Sequence, residues 1–148
     1  AVCSPRVRKR LSMATFTELM KLGTSKGVSV WEIDASQMNF SIALVLGHAQ
    51  CGGVAAALEE RERDPHSLLD AWISLLDTAK SRIPEDGDRM SELEHESIRV
   101  TLENLATFPF IQNAMKTRGL NLIGMRYGVA DGGLELLNTV TGVFEPVL

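Results

Sequence analysis

The stretch "FSIALVLGHAQCGGVAAALEE", residues 40 to 60, decides the fold. "FSIALVL" is an apolar run of strand length, as expected for a strand buried on both faces of a parallel sheet. "VAAALEERER" turns helical and should run on to Asp64-Pro65, where the proline ends it. Between the two lies "GHAQCGG", residues 47 to 53, at the carboxyl end of the strand, where open α/β sheets bind ligands. His48 and Cys51 are three residues apart on this turn, and a nitrogen with a thiolate favours zinc. Gly47, Gly52 and Gly53 tolerate backbone angles closed to other residues, so the loop is expected to curl until both side chains reach one ion. The helix that follows directs free N–H groups to the same place, which favours a thiolate and an anion. The residues by themselves leave a second reading open, a tight turn with a buried Cys and a satisfied His, because one such pair is half a tetrahedral site.

Working outward, "SLLDAWISLLDTAKSRI", residues 67 to 83, places Leu68, Leu69, Trp72, Leu75, Leu76 and Ala79 on one helical face. "MSELEHESIRVTLENLATF", residues 90 to 108, reads as a longer helix opened by a capping box of Ser91 and Glu94. Pro109 interrupts it, and "FIQNAMKTRG" forms a further helix closed by Gly119. "LNLIGMRYGV" and "LELLNTV" flank Ala130-Asp131-Gly132-Gly133, a hairpin signal, with Asp131 favoured by the turn itself. Upstream, "MATFTELMKL" at 13 to 22 suggests a short helix and "VSVWEID" at 28 to 34 a half-buried strand. Strand, several helices, then a hairpin is an α/β order with helices packed on a sheet. His66, in a polar linker, and His95, among charges on a helix, read as solvated, while Trp31, Trp72 and the methionines read as core or interface filling.

A chain of 148 residues with 45% hydrophobic content can bury one core, so residues 1 to 148 are expected to form a single domain. A net charge of −4 argues against nucleic acid as the partner, since phosphate binding needs a basic face. The one basic cluster, Arg6, Arg8, Lys9 and Arg10, is local. No stretch approaches the roughly 18 apolar residues of a membrane span. Two cysteines without a secretory signal suggest reduced thiols and a cytoplasmic protein. The first 26 residues are basic, contain several hydroxyls and are poor in acids, which reads as a solvated basic terminal segment, with an organelle transit peptide as the alternative.

"LVLGHAQCGGVAAAL" resembles the second zinc motif of the β-class carbonic anhydrases. "LEHESIRVTLENLATFPFI" is similar to that family's long helix, and "LNLIGMRYGVADGGLELLNTVTGVFEPV" to its closing strands. The resemblance covers roughly residues 40 to 148 in order and with compatible spacing. It implies an α/β fold with a mostly parallel sheet flanked by helices and ending in a hairpin. It also implies a zinc-dependent lyase that interconverts carbon dioxide and bicarbonate through a zinc-bound hydroxide, as a homodimer or larger homo-oligomer. His48 and Cys51 match two of the family's three zinc ligands. "CSPRV" stands where the family has Cys-Ser-Asp-Ser-Arg-Val, which makes Cys3 the candidate third ligand and Arg6 the candidate catalytic arginine. Pro5 falls where the family has an aspartate, and the first third of the chain is atypical or truncated. A relative impaired in catalysis, keeping the scaffold and a metal, is the alternative, and a partner-binding domain a further one.

Overall fold

The computed structural model describes residues 41–64 and 66–147. Among them the order is β1 (Ile42–His48), α1 (Gly52–Leu58), α2 (Leu68–Ile73), a 3-10 turn (Ser74–Leu76), α3 (Asp77–Lys80), α4 (Arg89–Ala106), α5 (Pro109–Arg118), β2 (Asn121–Tyr127), β3 (Leu134–Leu137) and β4 (Phe144–Pro146). The strands form one sheet in the order β1-β2-β3-β4. β1 and β2 pair in parallel, residue for residue, from Ile42 with Asn121 to His48 with Tyr127. β3 and β4 then add antiparallel. The α/β class holds. Among the described residues the sheet is mixed, its parallel pair extended by the antiparallel strands of the expected closing hairpin. The hairpin turn forms at the predicted glycines, with Asp131 accepting from the Gly133 amide at 2.9 Å. No helix among the described residues is long and apolar enough to cross a membrane. The sequence readings at 13 to 22 and 28 to 34, and Trp31, lie outside the described residues.

α4 crosses the parallel pair. Ile98 is fully buried there with Val45 and Leu105. Two glycines make this approach possible: a Cβ on Gly47 would lie 2.7 Å from Ile98 Cδ1, and one on Gly124 would lie 2.8 Å from Ile98 Cγ2. On the other side of α4, Leu93 and Val100 pack against Val54 and Ala57 of α1 and against Ile73, Leu76 and Ala79. α5 starts with Pro109 in its first turn and ends at Gly119, whose φ of 65° suits glycine. Its Ile111 and Ala114 close a third cluster with Leu120.

Two helices depart from the sequence reading. α1 stops at Leu58, because Glu59 already has an extended ψ of 133°. Beyond it the chain spends its charges on ion pairs that a continued helix could not reach: Arg61 with Asp70, and Arg63 with Asp77 at 2.6 Å. Lys80 closes the shortened helix by donating to the Ala57 carbonyl at 2.6 Å. The segment from 67 to 83 is broken by the 3-10 turn, and its buried positions are Asp70, Ile73, Leu76 and Ala79, one every third residue. That period is the eclipsed spacing of a 3-10 helix, and it turns Leu68, Leu69 and Leu75 to solvent.

The Arg61 guanidinium, followed by the Asp64 amide, holds the Asp70 carboxyl below its usual range. A carboxylate of depressed pKa contributes stability above its unfolded pKa, near 3.8 here, and that stability disappears as the pH falls through the lower folded value. Asp70→Asn should therefore flatten the acid limb of the stability profile below about pH 4. Thermal melts across pH 2 to 7 measure this, and parallel profiles for wild type and variant would refute it.

Candidate functional site

His48 is the last residue of β1 and Cys51 the N-cap residue of α1, so one strand-to-helix turn carries both. His48 Nδ1 lies 3.0 Å from the Ala49 carbonyl oxygen. A carbonyl can only accept, so this contact suits a proton on Nδ1, the tautomer in which Nε2 is the nitrogen open to a metal. Cys51 is half-buried and a free thiol. The glycines of the turn have a different use from the one expected. The left-handed residue is Gln50, with φ 56°, whereas Gly47 makes room for Ile98, and a Cβ on Gly53 would lie 2.3 Å from the Trp72 ring. The curl comes from Gln50; Gly47 and Gly53 serve close packing, while a Cβ on Gly52 would meet nothing.

The loop is anchored on both sides of Gln50. The Ala49 amide donates to the Tyr127 carbonyl of β2 at 2.8 Å. The Cys51 amide donates to Glu94 Oε1 of α4 at 3.2 Å. Glu94 is buried, and its Oε2 accepts from Arg126 of β2, from Nε at 2.9 Å and Nη2 at 2.7 Å. Arg126 Nη1 also donates to Glu135 Oε2 at 2.8 Å, and His95 Nε2 lies 3.1 Å from the same oxygen. Burial works against the Glu135 charge, but His95 and Arg126 outweigh it and hold the carboxyl below its usual range. Burial likewise lowers the Arg126 pKa, and its two carboxylate partners more than reverse that. Glu94 and Arg126 line a cavity of about 390 Å³ together with Ala49, Gln50, Gly128 and Asp131.

Sequence reasoning placed Glu94 in a capping box, yet the cap of α4 is Asp88, which accepts from the Ser91 amide at 3.1 Å. Glu94 is thereby left for the loop. His95 is half-buried, stacked on Phe144 with centroids 4.3 Å apart, rather than solvated. His66 is exposed, as expected. Arg126 had a signal that went unused: a lone charge inside the apolar strand "LNLIGMRYGV" needs a buried partner. Cys3 and Arg6 lie outside the described residues. Among the described residues no three His, Cys, Asp or Glu side chains are grouped to hold a metal. The two donors that the loop provides, an imidazole and a thiol, are of the types zinc takes.

Residues 17–134 match the family model described as carbonic anhydrase. Beta carbonic anhydrase 3 of Arabidopsis thaliana is 28% identical over 114 residues, covering 71% of this chain and 44% of that protein. Mitochondrial beta carbonic anhydrase 6 of the same plant is 25% identical over 132 residues, covering 84% and 46%. The chain thus spans less than half the length of these relatives. Among solved structures, CafA, the β-carbonic anhydrase of Aspergillus fumigatus, superposes with a TM-score of 0.64 at 25% identity, over 80% of this chain and 56% of that one. A tetrameric β-carbonic anhydrase of Sordaria macrospora gives 0.63 at 22% identity, over 79% and 60%.

Proposed function

The chain belongs to the β-class carbonic anhydrase family, and from that premise we propose that it forms a zinc centre for the interconversion of carbon dioxide and bicarbonate, with His48 and Cys51 as two of the ligands. The observation that carries this reading is the Nδ1 contact of His48, which frees Nε2 for a metal on the turn where Cys51 offers its sulfur. Cys3 is the proposed third ligand and Arg6 the proposed catalytic arginine. Zinc, when bound, would act as a Lewis acid that makes hydroxide available near neutral pH. The chain's own residues do the rest: Ala49 sets the imidazole tautomer, and the Tyr127 carbonyl and the Glu94 carboxylate hold the turn.

A second reading, a relative that keeps zinc but has lost catalysis, is favoured by Pro5 in the position of the family's aspartate. Assembly into a homodimer or larger oligomer belongs to the proposal, since Ile42 and Leu44 on β1 and Val140 and Val143 near the last turn expose apolar surface.

Purified protein should contain about one zinc per chain, and His48→Ala or Cys51→Ser should lose nearly all of it, since each removes a direct ligand. Cys3→Ser tests the third ligand in the same assay. Zinc together with carbon dioxide hydration supports the proposal, and zinc without hydration the impaired relative. Unchanged zinc in the His48 and Cys51 variants would overturn the ligand assignment. A monomeric mass by light scattering would overturn the assembly.

A further inference from the structure

Gln50 is the strained residue of the turn. A non-glycine residue with φ 56° persists only where its surroundings over-determine it. Here the constraint is a pair of hydrogen bonds on either side: Ala49 to β2 through the Tyr127 carbonyl, and Cys51 to α4 through Glu94. The first is backbone to backbone and needs no particular side chain. The second depends on one carboxylate, and that carboxylate is buried. Burying a charge is unfavourable unless it is paired, and Arg126 supplies the pairing by engaging Oε2, which leaves Oε1 for the Cys51 amide. The N-cap position of α1 has no side-chain cap of its own. Arg126 is fixed in turn by Glu135, whose oxygen also meets His95. The result is a relay of charged groups from β3 to the main chain of Cys51, passing along the cavity that the turn overlooks.

We infer that Glu94, held by Arg126, is a positioning residue that fixes the Cys51 backbone in the strained turn and so aims its thiol at the metal. The inference rests on the zinc reading of His48 and Cys51. Glu94 touches no reacting atom, and its effect passes through the Cys51 amide.

The test compares Glu94→Ala and Glu94→Gln with wild type, using Asp70→Asn as a control that weakens an ion pair away from the turn. Zinc affinity is measured by competition with a chromophoric chelator, and the exchange rate of the Cys51 amide is measured in metal-free protein. Glu94→Ala should bind zinc about 10–100-fold more weakly, the usual cost of losing a group that orients a metal ligand. Its Cys51 amide should exchange at least about tenfold faster, a change of the size that one lost hydrogen bond produces. Glu94→Gln keeps an acceptor for the amide and should recover part of both effects, and it stands in if the Ala variant does not fold. Asp70→Asn should leave zinc affinity unchanged. Equal zinc affinity in wild type and both Glu94 variants overturns the inference. So does an equal loss in Asp70→Asn, which would make the effect one of general stability. If wild type takes up no zinc, the metal reading fails on its own, and the exchange rate of the Cys51 amide then decides whether Glu94 fixes the turn.

Discussion

Arg126→Ala should lower the free energy of unfolding by about 3–5 kcal/mol, the range for stranding one member of a buried ion pair. Glu94 is 3% exposed and would be left with the Cys51 amide as its remaining partner. Glu135 is more open and can turn to water, so the loss is concentrated on Glu94. Urea denaturation of wild type and variant measures the difference. A loss below about 1 kcal/mol, the range of exposed pairs, would show that the pair is solvated. Replacing both partners, Glu94→Leu with Arg126→Met, should recover most of the stability, because well-packed apolar side chains substitute for buried pairs with little net loss. The double variant separates two roles of the pair: the fold is restored while the Cys51 amide stays without its acceptor.

Ile98→Ala should destabilise the protein by about 2–5 kcal/mol, and by a value toward the top of that range. Ile98 is fully buried, and its neighbours on the sheet include, beside Val45, the glycines at 47 and 124, which have no side chains to move into the space. The cost of a cavity depends on how far its walls can collapse, and here two of the walls are backbone in a paired ladder. Ile98→Val should cost about 0.5–1.5 kcal/mol. Denaturant titration of both variants checks this, and similar midpoints for the two would mean that the strands close on the gap.

What was legible in the sequence was local. The strand that leads into His48, the proline and glycine that bound α5, and the Asp131 turn each rest on neighbours within a few residues and formed where they were read, although Ile42 and Leu44 of that strand are exposed rather than buried on both faces. The errors arose where a distant partner outweighed the local signal. Ser91 and Glu94 have the spacing of a capping box, but Arg126, on a strand far along the chain, takes Glu94 away. "EERER" has good helix propensity, but Asp70 and Asp77 draw its arginines out of the helix. The glycines around Cys51 suggested backbone freedom, and only the packing of Ile98 and Trp72 reveals that Gly47 and Gly53 serve close contact. The candidate site divides in the same way. His48 and Cys51 could be placed on one strand-to-helix turn from the sequence, whereas Glu94, Arg126 and Glu135 are brought together by the fold alone.

The parallel pairing of β1 with β2 also bears on when the site can exist. The strand that carries His48 finds its partner only after every helix described here has been made, so its docking closes a long loop and contributes heavily to the contact order of the domain. On the ribosome, the imidazole and thiol would emerge well before Tyr127 and Arg126, which hold their turn. A nascent or stalled chain therefore carries both donors without the frame that sets them, and on the proposed zinc reading metal uptake would be a late event tied to the arrival of β2.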